Sequence, residues 1–267
     1  MPVRIHVYAL CKNEIDFLPF FFQYYENIAE KIIIYDNGST DGSREFIQSQ
    51  NKGILREFDT NGVLRDDIHR FIKNSVWKES IGVADWVIVS DLDEIVYHNK
   101  LSHYLKYCKR KGITIPKIRG FNMISEEYPQ KGIPIIEQVK YGAYSIKYSK
   151  NAIFDPNEIR EINFAPGAHI IDPEGNIIFG NYKGLKLLHY KYMGNPNELQ
   201  NKWMRLGEEL SEFNVKNEWG LERKNREELA LSCQYVKRKA ELVIYDDSKM
   251  ILRRVINFFK RDSQPYI

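Results

Sequence analysis

The chain has 267 residues, of which 43% are hydrophobic and 28% are charged. This length and composition exclude a disordered chain. They allow one large domain, or one domain with an appendage, that folds without disulfide bonds or a structural metal. The 39 Lys and Arg residues against 36 Asp and Glu leave a formal net charge of +3, too small to indicate a nucleic-acid-binding protein.

The cysteines and the first residues bear on the cellular compartment. Cys11, Cys108 and Cys233 are odd in number and widely spaced, which is typical of neither a disulfide framework nor a zinc site. The chain starts directly with strand-like residues instead of a signal peptide. No window approaches the roughly 20 apolar residues that span a bilayer. We therefore expect a cytoplasmic protein whose only membrane contact is peripheral, at the inner face.

The first third of the chain alternates between strand and helix patterns. Short apolar runs predict strands at residues 4–10, 31–35, 54–58 and 85–90. Helical spacing of apolar residues predicts helices at 15–28, 43–50 and 64–81 between them. This alternation predicts an α/β fold with a mostly parallel, Rossmann-like central sheet and flanking helices.

The pattern changes twice in the remainder. Beyond about residue 112, short strand-like runs are separated by Gly and Pro residues. They indicate a segment that covers the open end of the sheet, where the strands finish. Asn195-Pro196 is a helix start, and helices are expected at 198–213, 222–244 and 249–261. We therefore divide the chain into a domain at 1–194 and a helical C-terminal extension at 195–267. The basic amphipathic segment 249–261 has two interpretations, contact with an anionic membrane or packing on the domain.

Acidic residues stand at the ends of two predicted strands. Asp36 follows the second strand, and Asp91 and Asp93 follow the fourth. Ligands of open parallel sheets bind outside the carboxyl ends of the strands, so both groups are expected to face one crevice. On extended backbone, Asp91 and Asp93 would point the same way and hold Mg²⁺ or Mn²⁺ with room for a diphosphate. Asp36 suits a hydrogen bond to a ribose or a base.

Six motifs follow one another along the chain: Cys11-Lys12-Asn13-Glu14, Asp36-Asn37-Gly38-Ser39-Thr40-Asp41-Gly42, Ser90-Asp91-Leu92-Asp93-Glu94, Ser149-Lys150-Asn151-Ala152-Ile153, Gly167-Ala168-His169 and Leu188-His189-Tyr190. Together and in this order they resemble a known family, the family 2 type glycosyltransferases of GT-A fold, and within it the bacterial family 2-like branch near the family 92 enzymes. The resemblance covers about residues 3 to 206.

The resemblance implies a transferase that moves a sugar from a nucleoside-diphosphate sugar to a glycan or lipid-linked acceptor, with inversion and with Mn²⁺ or Mg²⁺ as cofactor. It implies a metal site made by Asp91, Asp93 and His189. The residues that it implies for the donor nucleotide-sugar are Asn13, Glu14, Asp36, Asp91, Lys150 and His169.

The catalytic base is less clearly marked, because the chain lacks the Glu-Asp signature of better-known members. An inverting enzyme uses a carboxylate to deprotonate the acceptor hydroxyl. We predict that Glu126 or Glu127 has this role, with Glu137 and Asp155 as alternatives.

Two other functions are compatible with acids at strand ends. A metal-dependent nucleotidyl- or phosphotransferase would also use them, but the connection Cys11-Lys12-Asn13-Glu14 has no glycine for a phosphate loop. A non-catalytic nucleotide- or carbohydrate-binding module is the other alternative, and the presence of both Asp91 and Asp93 argues against it. The sequence leaves the donor sugar, the nucleotide base, the acceptor and the oligomeric state open.

Overall fold

The structure is a computed structural model and describes residues 2–245. Its strands are β1 (Ile5–Cys11), β2 (Lys31–Asp36), β3 (Gly53–Glu57), β4 (Trp86–Val89), β5 (Glu94–Tyr97), β6 (Arg119–Ser125), β7 (Tyr141–Ser145), β8 (Ile153–Phe154), β9 (Ile159–Glu161), β10 (Glu174–Gly175), β11 (Lys186–Met193) and β12 (Glu241–Leu242). Its α-helices are α1 (Leu18–Tyr25), α2 (Ser43–Ser49), α3 (Asp66–Ser75), α4 (Leu101–Arg110), α5 (Ile135–Gln138), α6 (Pro196–Glu208), α7 (Glu212–Lys216) and α8 (Arg226–Lys239).

The first sheet has the order β3-β2-β1-β4-β8. Its first four strands are parallel to their neighbours, and β8 joins β4 in the antiparallel direction. Ile32, Ile33 and Ile34 are all buried, as expected for a strand covered on both faces. The predicted α/β fold with a mostly parallel central sheet and flanking helices is therefore confirmed.

A second sheet of order β12-β7-β6-β11-β5 extends the fold. Strand β11 lies between β6 and β5, parallel to β6 and antiparallel to β5. Neither β5 nor α4 was predicted from the sequence. Strand β5 was missed because it begins at Glu94, the last residue of the acidic motif, and only three residues of the strand follow that motif.

The predicted C-terminal helices differ from the observed ones. The helix expected at 198–213 ends at Glu208, because Ser211 accepts a hydrogen bond from the Asn214 amide at 3.2 Å and caps the separate helix α7. The helix expected at 222–244 is α8, which ends at Lys239 so that β12 can pair with β7. The described part of the extension thus adds a strand to the second sheet. The segment 249–261 lies outside the described residues.

One large hydrophobic core joins the two sheets. Helix α1 contributes Phe20, Phe21 and Phe22 to it, and β11 contributes Leu187 and Leu188, all at most 1% exposed. Apolar burial on this scale rigidly fixes the strand ends that carry the polar residues. Across residues 2–245, no helix is long and apolar enough to cross a membrane.

Candidate functional site

The acidic segment from Asp91 to Glu94 forms the turn between β4 and β5, and so it links the two sheets. The Glu94 amide donates to the Asp91 carbonyl at 3.0 Å, and the Tyr190 amide on β11 donates to the Asp93 carbonyl at 2.8 Å. The expectation that Asp91 and Asp93 extend the strand is therefore wrong. A turn presents the two carboxylates, and each has its own cationic neighbours.

Asp91 lies between two lysines. Lys73 of α3 donates to one carboxylate oxygen, and Lys150, in the loop between β7 and β8, donates to the other at 3.2 Å. Both lysines are buried, with 7% and 3% of their surface exposed. Burial by itself would raise the pKa of Asp91, but the two ammonium groups hold it well below its usual range. Asp91 is thus ionised and carries two internal counter-cations.

Glu94 is the buried fourth member of this group, at 1% exposure. The Lys150 Nζ lies 2.6 Å from its Oε1. Burial raises the pKa of Glu94 in spite of Lys150. Burial also disfavours the charged form of Lys150, but Glu94 and Asp91 outweigh it and raise the pKa of this lysine. We call Lys73, Asp91, Glu94 and Lys150 the Asp91 cluster, in which two acids face two lysines.

Asp93 faces a histidine instead. The His189 Nε2 lies 3.2 Å from the Asp93 Oδ2, and the His189 Nδ1 lies 2.9 Å from the Asn122 Oδ1 on the neighbouring strand β6. Tyr148 stacks on the imidazole with 4.0 Å between ring centroids. Burial would raise the pKa of Asp93, but His189 reverses the effect and lowers it. Because the Asn122 Oδ1 can only accept, the Nδ1–H of His189 donates to it, and this leaves Nε2 on the side of Asp93, the orientation of a metal-ligating histidine.

A divalent cation fits the Asp93 side of the turn better than the Asp91 side. Among residues 2–245, no group of three or more His, Cys, Asp and Glu side chains forms a complete metal site. Mg²⁺ typically takes one or two protein ligands and completes its shell with phosphates and water, which Asp93 and His189 can satisfy. On Asp91 the same ion would lie about 4 Å from two ammonium groups, with a repulsion of roughly 8 kcal/mol each at an effective dielectric constant of 20.

These residues line a cavity of about 330 Å³ at the carboxyl edge of the parallel strands. Leu10, Asn37 and Phe58 reach it from the ends of β1, β2 and β3. Eight of the lining residues are Lys or Arg, and six are Asp or Glu. The cavity therefore combines a carboxylate and histidine pair with a surplus of positive charge, which suits an anion that binds together with a metal.

Two of the predicted donor-binding residues brace the wall instead of lining it. Asp36 is fully buried, and its Oδ2 accepts from the Ser39 amide at 2.9 Å and from Arg44 at 3.2 Å. Its Oδ1 has no hydrogen-bond partner among the described residues. The Asn13 Oδ1 accepts from the Thr40 amide at 2.8 Å, and Asn13 has a positive φ of 52°. Neither residue belongs to the cavity lining, although their neighbours in the chain, Lys12, Glu14 and Asn37, do.

The other predicted donor-binding residues all line the cavity. Glu14 joins α6 through Lys202, whose Nζ lies 2.9 Å from its Oε2. His169 is held at Nδ1 by the Lys147 carbonyl at 2.8 Å. Burial, with the nearby Lys150, lowers the pKa of His169 to about 4, so its imidazole is neutral. The structure thus brings Glu14, Lys150 and His169 together with the acidic turn.

The predicted base residues lie elsewhere. Glu126 is exposed and pairs with Lys237 of α8, and neither Glu126 nor Glu127 lines the cavity. The alternatives Glu137 and Asp155 are also outside the lining, and Asp155 pairs with Lys109. The structure therefore does not bring any of these four carboxylates to the predicted donor site.

Sequence reasoning missed Lys73. The residue belongs to no motif, but a signal was present in helix α3, where polar residues recur with helical spacing on one face. Asp66, His69, Arg70 and Lys73 follow each other three, one and three residues apart, and all four line the cavity. The pattern that would have identified α3 as a wall of the cavity is a row of polar residues on one face of a helix that packs beside an acid at a strand end.

Comparison with protein-family models and with curated proteins finds no match. Among solved structures, the chain is similar to S. aureus TarS 1–349 at 12% identity and a TM-score of 0.44, over 84% of this chain and 71% of that one. The same segment in complex with UDP-GlcNAc gives 12% identity and a TM-score of 0.40, over 84% of this chain and 72% of that one. GalNAc-T7 with UDP, GalNAc and Mn²⁺ gives 18% identity and a TM-score of 0.32, over 45% of this chain and 24% of that one. Similarity this distant assigns no activity, so the function is argued from the site.

Proposed function

We propose that this chain is a glycosyltransferase of GT-A type, similar to family 2, that moves a sugar from a nucleoside-diphosphate sugar to a glycan or lipid-linked acceptor. We propose further that it depends on Mn²⁺ or Mg²⁺ and inverts the anomeric centre. The observation that carries the proposal is one cavity, at the carboxyl edge of a parallel sheet, that holds both the Asp93–His189 pair and a surplus of Lys and Arg side chains. A diphosphate with its metal is the ligand that needs both.

The roles of individual residues follow from their neighbours. Asp93 and His189 would hold the metal, whose chemistry is to neutralise charge on the departing nucleoside diphosphate. Asn122 and Tyr148 orient His189 through its second nitrogen and its ring face. Glu14 and Lys202 close the side of the cavity toward α6. Lys150 offers hydrogen bonds to phosphate or sugar oxygens, while the Nε2 of His169, whose Nδ1–H donates to the Lys147 carbonyl, can accept from a sugar hydroxyl.

The base is tested by substitution, because Glu126 and Glu127 lie outside the cavity lining. Inversion requires a carboxylate within reach of the acceptor hydroxyl. If Glu126 or Glu127 is the base, its change to Gln should lower kcat by about a hundredfold or more. Should both variants keep wild-type turnover, the base is one of the lining carboxylates, and Glu14, Asp66 and Glu222 are the next to be changed.

The central experiment is a thermal-shift panel with UDP, GDP, UTP and GTP, each with and without Mn²⁺. A ligand that binds the native state stabilises it by mass action, so we expect a diphosphate with Mn²⁺ to raise the melting temperature. Hydrolysis of UDP- and GDP-sugars without an acceptor is measured in parallel. Stabilisation by triphosphates alone would favour the nucleotidyl- or phosphotransferase. Stabilisation by a diphosphate without any donor turnover would favour a binding module.

We also propose peripheral contact with anionic membranes through residues 249–261. The support is compositional: this segment combines apolar residues at helical spacing with basic ones. Full-length protein should sediment with anionic vesicles, while a truncation that ends at Asp247 should remain in the supernatant. Equal behaviour of the two forms would leave the alternative, packing of the segment on the domain.

A further inference from the structure

Lys73 is a buried lysine that lines the cavity and belongs to none of the sequence motifs. It projects from α3 and is 7% exposed. Lysines are almost never buried to this extent unless they are paired, because desolvation of the ammonium group is costly. Its partner is Asp91, the first acid of the turn between β4 and β5. A residue from a helix is thus joined to the acidic motif across the wall of the cavity.

Lys73 retains hydrogen-bonding capacity after this pairing. An ammonium group has three donors. Within residues 2–245, Lys73 makes one hydrogen bond, to the Asp91 Oδ1, so two N–H groups remain for a ligand in the cavity that it lines. Lys150 holds the other oxygen of Asp91 at 3.2 Å and lines the same cavity. The two ammonium groups are therefore kept on the same carboxylate and at the same wall.

The position of Asp91 explains why the lysines stand there. Two ammonium groups repel each other, and the carboxylate between them removes that repulsion and fixes both side chains. Glu94 supplies the second negative charge from the buried side, 2.6 Å from Lys150. If the cluster served the fold alone, its lysines would have no reason to line the cavity. The arrangement has the character of a preorganised site for an anion.

We infer that Lys73 and Lys150 form the protein's own phosphate-binding pair, aimed by Asp91, which acts as their positioning counter-ion and not as a metal ligand. The inference rests on the proposed function, because the ligand that it identifies is the diphosphate of the donor. It divides the two acids of the motif between two tasks. Asp93 with His189 serves the metal, and Asp91 serves the lysines.

The first test measures nucleotide binding without metal. Binding of UDP and of GDP to wild-type protein is measured by calorimetry in EDTA, beside Lys73→Met and the matched control Lys78→Met. Lys78 is the nearest following lysine; it pairs with Glu161 and does not line the cavity. The Lys73→Met protein should bind the nucleotide roughly tenfold or more weakly, because it lacks a charge-assisted hydrogen bond, while the Lys78→Met protein should bind it like wild type.

A buried lysine can be needed for folding, so Lys73→Gln is measured as well. It retains a hydrogen-bond donor toward Asp91 without the charge. Both variants are checked by thermal melting, and Lys73→Gln should also weaken metal-free binding roughly tenfold. Wild-type affinity in a folded Lys73→Met or Lys73→Gln protein overturns the inference.

The second test separates the roles of Asp91 and Asp93. The ratio of the nucleotide Kd in EDTA to the Kd in Mn²⁺ measures the coupling between metal and diphosphate, independently of the nucleotide affinity itself. Asp91→Asn should keep this ratio within about threefold of wild type, whereas Asp93→Asn should bring it close to 1. Collapse of the ratio in Asp91→Asn would make Asp91 a metal ligand and overturn its assigned role.

The outcomes distinguish this inference from the proposed function. A wild-type protein that binds neither UDP nor GDP under either condition refutes the transferase proposal and the inference together. A wild-type protein that binds a diphosphate, with Lys73→Met unchanged, removes the inference and leaves the transferase proposal standing.

Discussion

The buried pair of Glu94 and Lys150 should be strongly coupled in its contribution to stability. The two side chains are 1% and 3% exposed, and Lys150 also contacts Asp91. Removal of one partner from a buried ion pair typically costs about 3–5 kcal/mol, because it leaves a buried charge uncompensated. Here the remaining charge is partly compensated. Lys150 retains Asp91 after Glu94→Gln, and Glu94 can take up a proton after Lys150→Met.

We therefore expect about 2 kcal/mol of destabilisation for Glu94→Gln and about 3 kcal/mol for Lys150→Met. The double variant should lose about 3 kcal/mol, since no charge of the pair is then left unpaired, and the coupling energy is about 2 kcal/mol. The assay is urea unfolding at pH 7 followed by the fluorescence of Trp77 and Trp86, which are both fully buried. The reasoning would be refuted if the losses of the two single variants summed to the loss of the double variant within about 0.5 kcal/mol.

A matched exposed pair serves as the control. Arg160 and Glu174 lie 2.7 Å apart, and their side chains are 73% and 50% exposed. The same double-variant cycle with Arg160→Met and Glu174→Gln should give a much smaller coupling energy than that of the buried pair, because solvent screens the exposed charges. A coupling as large as that of the buried pair would mean that burial is not the source of the difference.

Three further results are expected. Asp93→Asn should lower nucleotide-sugar turnover in Mn²⁺ by on the order of a hundredfold, with a cooperative melt retained; a variant that simply unfolds would make Asp93 structural. Burial and Lys73 lower the pKa of His69 to about 4 in the folded protein. As the pH falls below 6.5, His69 is therefore protonated in the unfolded chain before it is protonated in the folded one. Stability should then fall by up to about 3 kcal/mol between pH 6.5 and 4, and less steeply in His69→Gln; identical urea midpoints across that range would contradict this. The Asn195 side chain accepts from the Asn197 amide at 2.8 Å and caps α6, so Asn195→Ala should cost about 1 kcal/mol in the same assay, and no loss would show that the cap is dispensable.

The predictions that the sequence supported were those that depend on local pattern. Apolar runs such as Ile32 to Ile34 predicted buried strands, and Asn195-Pro196 predicted the start of α6, because periodicity and capping act between residues close in the chain. The alternation of strands and helices then placed Asp36, Asp91 and Asp93 at one edge of a parallel sheet. The predicted ends of α6 and α8 were wrong, because Leu210 pairs with Leu64 just beyond α6 and β12 pairs with β7 just beyond α8.

The division of labour within the acidic motif was decided only by the tertiary structure. In sequence, Asp91 and Asp93 are equivalent acids two residues apart. The turn that presents them is held by Tyr190, and it directs Asp93 to His189 and Asp91 to Lys73. These partners lie far away in the chain, and no local pattern specifies which cation meets which carboxylate. The electrostatics of a buried site depend on distances of a few ångströms between distant segments, so the sequence by itself determined the kind of site, and packing determined what each acid contacts.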